Sequence, residues 1–185
     1  MSDILLEIKE VSKHFGGVTA LDKVGLTIRK GEIHCLVGEN GCGKSTLIKI
    51  ISGFYKPDGG TICFDGQEYS SLDIKQSIQL GIQVIYQDMS IFPNLTVAEN
   101  IAMNYERYNK RKLVNWKNVE TIAKQALAHI GIDIPLHESV GSLSIADKQL
   151  IAIARSILYN SRLVIMDEPT SALTRREVDK LFKVI

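Results

Sequence analysis

Gly38-Glu39-Asn40-Gly41-Cys42-Gly43-Lys44-Ser45-Thr46 is the stretch that decides how this chain is read, and it satisfies G-x-x-x-x-G-K-[ST] in full. The apolar run Glu32 to Val37 leads into it as expected for a strand buried on both faces. Leu47, Ile48, Ile50, Ile51 and Phe54 follow at helical spacing, with Gly53 as the stop. A glycine loop between strand and helix lets the backbone wrap an anion with its N–H groups pointing inward, while the helix adds the positive end of its dipole. Lys44 then reaches β- and γ-phosphates, Ser45 offers its hydroxyl to Mg2+, and Thr46 offers a second one toward the α-phosphate. A strand-to-helix turn with no ligand has no use for Lys followed by Ser. Cys42 reads as a small loop filler, not a redox centre.

Upstream, Ile4 to Val11 and Val24 to Ile28 roughly alternate apolar with polar residues, which predicts half-buried strands of an antiparallel sheet joined by a turn at Gly16-Gly17. Downstream, Lys56 to Gly60 is a turn cluster, and the β-rich Thr61 to Phe64 closes on Asp65-Gly66 in hairpin style. Gly81 to Tyr86 reads as a further buried strand. Val119, Ile122, Ala123, Ala126, Leu127 and Ile130 make one helical face over Asn115 to Ile130, and Ile145 to Leu158 makes another.

Arg162 to Met166 is a last buried strand, and it delivers Asp167 and Glu168 at its C-terminal end, where ligands of open α/β sheets bind. Consecutive strand-end residues point different ways. Asp167 is thereby placed to hold Mg2+ and Glu168 to polarise a water in line with the γ-phosphate. Acidic residues also end strands as solvated caps; the phosphate loop is what favours the chemical reading here.

Composition sets the outer bounds. A chain of 185 residues, 45% hydrophobic, has the length and apolar content for a domain with a sizeable core. Its 22 Lys+Arg against 21 Asp+Glu give a formal charge of +1, so no whole-domain field draws it to nucleic acid or anionic membrane. Cys35, Cys42 and Cys63 lack zinc-ligand spacing, and a reducing cytosol fits them. No apolar run reaches the roughly 18 to 20 residues of a membrane helix, so membrane function would need a partner.

With these motifs the chain resembles the ATP-binding subunits of ABC transporters throughout its length, most closely the bacterial monosaccharide (ribose/galactose-type) importers. The resemblance implies an α/β fold: a P-loop NTPase core with an N-terminal antiparallel β-subdomain and a helical subdomain inserted at about 92–158. It assigns adenine stacking to Phe15, phosphate and nucleotide binding to Gly38, Glu39, Asn40, Gly41, Cys42, Gly43, Lys44, Ser45 and Thr46, and metal binding to Ser45, Gln87 and Asp167. Gln87, in VIYQD, matches the family's Q-loop glutamine; with Lys44 and Glu168 it forms the expected catalytic set. The alternative for Phe15 is an ordinary strand-end core aromatic.

Leu143 to Gln149 aligns with the LSGGQ signature, whose serine, here Ser144, caps ATP bound to the opposite ATPase domain. Ile145 and Ala146 replace the two glycines, which restricts backbone approach to phosphate. Ser144 with Asp147 also reads as plain helix capping. Thr174 stands where most of the family has aspartate, and Pro93 to Asn100 resembles the stretch that opens the helical subdomain toward a transmembrane partner. The basic cluster Arg107, Lys110, Arg111 and Lys112 reads as a solvated face.

The family's switch-loop histidine falls past Ile185, and His14, His34, His129 and His137 all precede Asp167. The resemblance therefore implies a C-terminally incomplete domain, the first part of a longer or tandem ATPase. Its strand bearing that histidine would lie between the phosphate-loop strand and the Asp167 strand.

The function expected is an Mg-dependent ATPase on the cytoplasmic side of the membrane, energising uptake of a sugar or related solute. Its partners would be transmembrane permease subunits, a second ATPase domain and, indirectly, a solute-binding protein, with no nucleic acid. A soluble, non-transport ABC ATPase is the first alternative, and the interval from Gln87 to Ser144 is too short for long coiled-coil arms. A domain that binds ATP without efficient hydrolysis is the second.

Overall fold

The computed structural model describes residues 3–86, 91–108, 115–158, 161–167 and 174–182. The chain divides into two compact units, 1–84 and 85–185.

Unit 1 is built on an antiparallel sheet in the order β2-β1-β3-β4, from β1 (Ile4–Phe15), β2 (Val18–Arg29), β3 (Gly59–Phe64) and β4 (Gln67–Tyr69). Alternation in the sequence becomes burial: Leu6, Ile8 and Val11 of β1 face the core with Ile62 and Phe64 of β3. Both hairpins turn where the glycines predicted. Phe15 pairs with Val18 across Gly16-Gly17, and Phe64 with Gln67 across Asp65-Gly66, whose two positive φ values fit a type I′ turn.

Helix α1 (Lys44–Ile51) buries Leu47, Ile48, Ile50 and Ile51. It ends as the sequence indicated, at Gly53: the Phe54 N–H donates to the Lys49 carbonyl and the Gly53 N–H to that of Ile50, a Schellman arrangement with Gly53 at φ 78°. Phe54, expected on the helix's apolar face, lies past this stop and is 58% exposed. Helix α2 (Ile74–Gln79), which the periodicity did not flag, is set by a capping box between Asp73 and Gln76.

One expectation fails outright. Glu32 to Val37 forms no strand, and Val37 is 89% exposed. An apolar run becomes a buried strand only when neighbours supply a ladder, and neither sheet among the described residues includes it. Local bonds hold its start instead: the Arg29 N–H donates to Glu32 Oε2 at 2.7 Å, and His34 Nδ1 lies 3.0 Å from Glu32 Oε1.

Strand β5 (Ile82–Ile85) pairs with β6 (Leu163–Met166), and both are largely half-buried rather than buried. Unit 2 takes its core from α3 (Val97–Tyr108), α4 (Trp116–His129) and α5 (Ile145–Ile157). The α4 face is the one read from spacing: Val119, Ile122, Ala123, Ala126 and Leu127 are buried, and Asn115 caps the helix. Ile101 of α3 and Leu150, Ile151 and Ala154 of α5 complete the cluster. Helix α6 (Arg175–Phe182) follows Thr174. Among the described residues no helix is long and apolar enough to cross a membrane.

Candidate functional site

The phosphate-loop sequence sits between the β1–β2 hairpin and α1. Gly43 is the residue on which α1 starts, with φ 96°. It is backed by β2 so closely that a Cβ on it would lie 2.5 Å from the Ala20 carbonyl oxygen and 2.8 Å from Leu21 Cδ2. Only glycine meets both demands. Because Gly43 has no side chain, nothing caps α1 from that position, and the N–H groups of Lys44, Ser45 and Thr46 form the open positive end of the helix.

Lys44 folds back across the loop. Its ammonium donates to the carbonyls of Gly38 at 2.6 Å and Glu39 at 2.8 Å, and lies 3.7 Å from Cys42 Sγ. The Cys42 N–H donates to the Glu39 carbonyl, making a turn of the loop itself, with Gly41 also at positive φ. Ser45 is exposed and Thr46 half-buried in the first turn of α1. This is a cationic loop at an uncapped helix start, suited to an anion with several oxygens.

Phe15 ends β1 and is 41% exposed. Since it pairs with Val18, it stands two residues from the Ala20 carbonyl that abuts Gly43. The β1–β2 hairpin thus carries both the Phe15 ring and the carbonyl against which Gly43 packs. Tyr55 packs against Phe15 at 64° with centroids 5.1 Å apart, and the Lys13 ammonium lies 5.5 Å over the Phe15 ring. Asp58 accepts from Lys13 Nζ at 2.7 Å and from the His14 N–H at 2.6 Å. These two hydrogen bonds, Lys13 first, hold the Asp58 carboxyl down at about 2. In the sequence Lys56 to Gly60 is only a turn cluster, and nothing marks Tyr55 or Lys13; the signal available there is the Asp58 inside that cluster.

In unit 2, Asp167 follows β6 directly, and its N–H donates to the Ile85 carbonyl at 3.0 Å, so the strand pairing fixes its backbone. Gln87, Glu168, Lys110, Arg111, Lys112 and the stretch 169–173 lie outside the described residues. Ser144 is the N-cap of α5: its Oγ accepts from the Asp147 N–H at 3.1 Å and donates to Asp147 Oδ2 at 2.8 Å. The capping reading is therefore realised, and Ser144 remains exposed while doing it. Ile145 is 41% exposed and Ala146 buried, so of the two residues replacing glycines only Ile145 projects at the helix start.

The segment before α3 is fixed by a buried amide. Asn100 accepts from the Phe92 N–H and donates to the carbonyls of Phe92, Leu95 and Thr96. Thr96 and Glu99 bond reciprocally at the start of α3, and hydrogen bonds from the Thr96 N–H and hydroxyl lower the Glu99 pKa. Pro93 and Leu95 accept from Gly141 and Val140, which ties this segment to the residues just before Ser144.

Among known proteins the likeness is consistent. The chain belongs to the ABC transporter family, whose model matches residues 21–171. It is 48% identical over 98% of its length to a putative ribose/galactose/methyl galactoside import ATP-binding protein of Halalkalibacterium halodurans, covering 35% of that protein. It is 45% identical over 98% of its length to the ribose import ATP-binding protein RbsA of Corynebacterium glutamicum, covering 34% of it. The chain thus spans about a third of the length of the curated relatives it matches. Its fold matches the ADP conformation of an ATP-binding cassette of an ABC transporter with a TM-score of 0.86 at 25% identity, over 99% of this chain and 76% of that one. The α/β elements with their antiparallel sheet are those of a P-loop ABC ATPase.

Proposed function

We propose that the chain binds MgATP at Gly38–Thr46 and is the ATP-binding and hydrolysing part of an ABC importer for a sugar or related solute. The observation that carries this is the uncapped N-terminus of α1, with Lys44 bonded across the mouth of its loop. In this reading the ammonium exchanges Gly38 and Glu39 carbonyls for phosphate oxygens, a charge-assisted partner in place of a neutral one. The N–H groups of Lys44, Ser45 and Thr46 take the remaining phosphate charge.

Magnesium fits the donors this chain offers: the Ser45 hydroxyl and the Asp167 carboxylate are hard oxygens, and Gln87 adds an amide oxygen. When bound, the ion would neutralise charge developing on the phosphates. Glu168 orients the attacking water, and Phe15 takes the adenine. Ser144 serves the nucleotide of a second ATPase domain, and the helices within 92–158 form the subdomain that meets transmembrane permease subunits at the cytoplasmic face. The importer assignment is supported by the names of the relatives, which are ribose, galactose and allose import proteins.

Calorimetric titration with MgATP tests the binding: Lys44→Ala should lose most affinity, and equal binding by this variant defeats the reading. Glu168→Gln should keep ATP and lose turnover. Retained ATP with no turnover in the unaltered chain would support binding without hydrolysis instead. Co-purification with a coexpressed permease, and sugar uptake dependent on Glu168, test the transport assignment.

A further inference from the structure

The Phe15 ring at the end of β1 has an aromatic neighbour. The turn after α1 carries Tyr55, whose N–H donates to the Lys49 carbonyl in the last turn of that helix. The Lys49 ammonium lies 5.6 Å over the Tyr55 ring. Tyr55 in turn meets Phe15 edge-on. From the other side Asp58 grips the strand end: its N–H donates to the Ser12 carbonyl, and its carboxylate accepts from Lys13 Nζ and the His14 N–H. The Lys13 side chain is only 15% exposed, so its ammonium is confined between the carboxylate and the Phe15 ring. The helix that begins at the phosphate loop therefore ends at residues that brace the aromatic ring.

We propose that Tyr55 and Asp58 are positioning residues for the nucleotide base, Tyr55 by packing on Phe15 and Asp58 by fixing Lys13 and the backbone on which Phe15 stands. The proposal rests on the reading of Phe15 as the base contact. A stacking ring on an exposed strand end loses rotamer freedom when a base binds, and a ring already held by an edge-on neighbour and a tethered cation loses less. The two residues act on the base alone, because neither is part of the phosphate loop. Their ligand class is a purine nucleoside triphosphate, with a base broad enough to cover the ring.

The test compares MgATP with magnesium tripolyphosphate, which has the phosphates and no base, by calorimetric titration of the 185-residue chain. Tyr55→Ala and Asp58→Ala should each weaken ATP binding about two- to tenfold and leave tripolyphosphate unchanged. Tyr55→Phe should bind ATP as the unaltered chain does. In a Phe15→Ala background neither change should weaken ATP further. An equal loss for both ligands, or a loss that persists without Phe15, would assign the residues to folding and overturn the proposal. If Phe15→Ala weakens ATP while Tyr55→Ala and Asp58→Ala do not, positioning fails and the base contact stands. If Phe15→Ala binds ATP normally, the base contact itself fails.

Discussion

Gly43 stands against the Ala20 carbonyl, so close that a Cβ would lie 2.5 Å from the oxygen, and this contact sets where α1 begins relative to β2. Gly43→Ala would have to move the loop off the strand and hold φ near 96° with a side chain, a strain on the order of 1–3 kcal/mol. Both the thermal midpoint and ATP affinity should fall together. An alanine variant that binds ATP normally would mean the loop tolerates displacement from β2.

Ser144 bonds Asp147 as a helix cap, and that role predicts a stability effect separate from any nucleotide. Ser144→Ala should destabilise the chain by about 1 kcal/mol in denaturant melts, and Ser144→Asn, another good cap, by far less. Equal loss in both variants would show that the cap is not what the hydroxyl contributes.

Asn100 is fully buried and its side chain makes four hydrogen bonds to the backbone of Phe92, Leu95 and Thr96. Asn100→Leu should cost about 2–4 kcal/mol, since the Phe92 N–H loses its acceptor and the carbonyls of Phe92, Leu95 and Thr96 each lose one of their two donors. Hydrogen exchange should locate the loss: amides over 92–97 and 140–141 open first. Uniform loss of protection across α4 would contradict a local role.

The Asp58 carboxyl titrates at about 2 in the folded chain, below the roughly 3.9 of an unfolded aspartate. A depressed folded value means the carboxylate contributes stability above about pH 4, and the contribution fades as pH falls through about 2. Asp58→Asn should therefore lower stability at neutral pH and flatten its acid decline across that window. Parallel melting curves from pH 7 to 2 would argue against the Lys13 and His14 contacts.

Much of this was legible in the residues. Alternation along Ile4 to Val11 and the Asp65-Gly66 turn announce a sheet, because side-chain period and positive φ are local properties. The α4 face and the Gly53 stop are equally local. Glu32 to Val37 misled because apolar content says that a segment wants burial, and not which strands would flank it. Tyr55 and Asp58 are not legible in the sequence because they meet Phe15 and Lys13 across some forty residues of chain, a separation only the sheet closes.

The phosphate loop marks the same division. By itself the sequence determined that a loop of glycines, Lys44 and Ser45 opens a helix, since the motif and the flanking patterns are read along the chain. The tertiary structure decided that Gly43 is pressed onto Ala20, that Lys44 bonds to its own loop, and that Phe15 is held by Tyr55 and Lys13. Those are through-space relations, fixed when β1, β2 and α1 pack, and no spacing along the sequence encodes their distances.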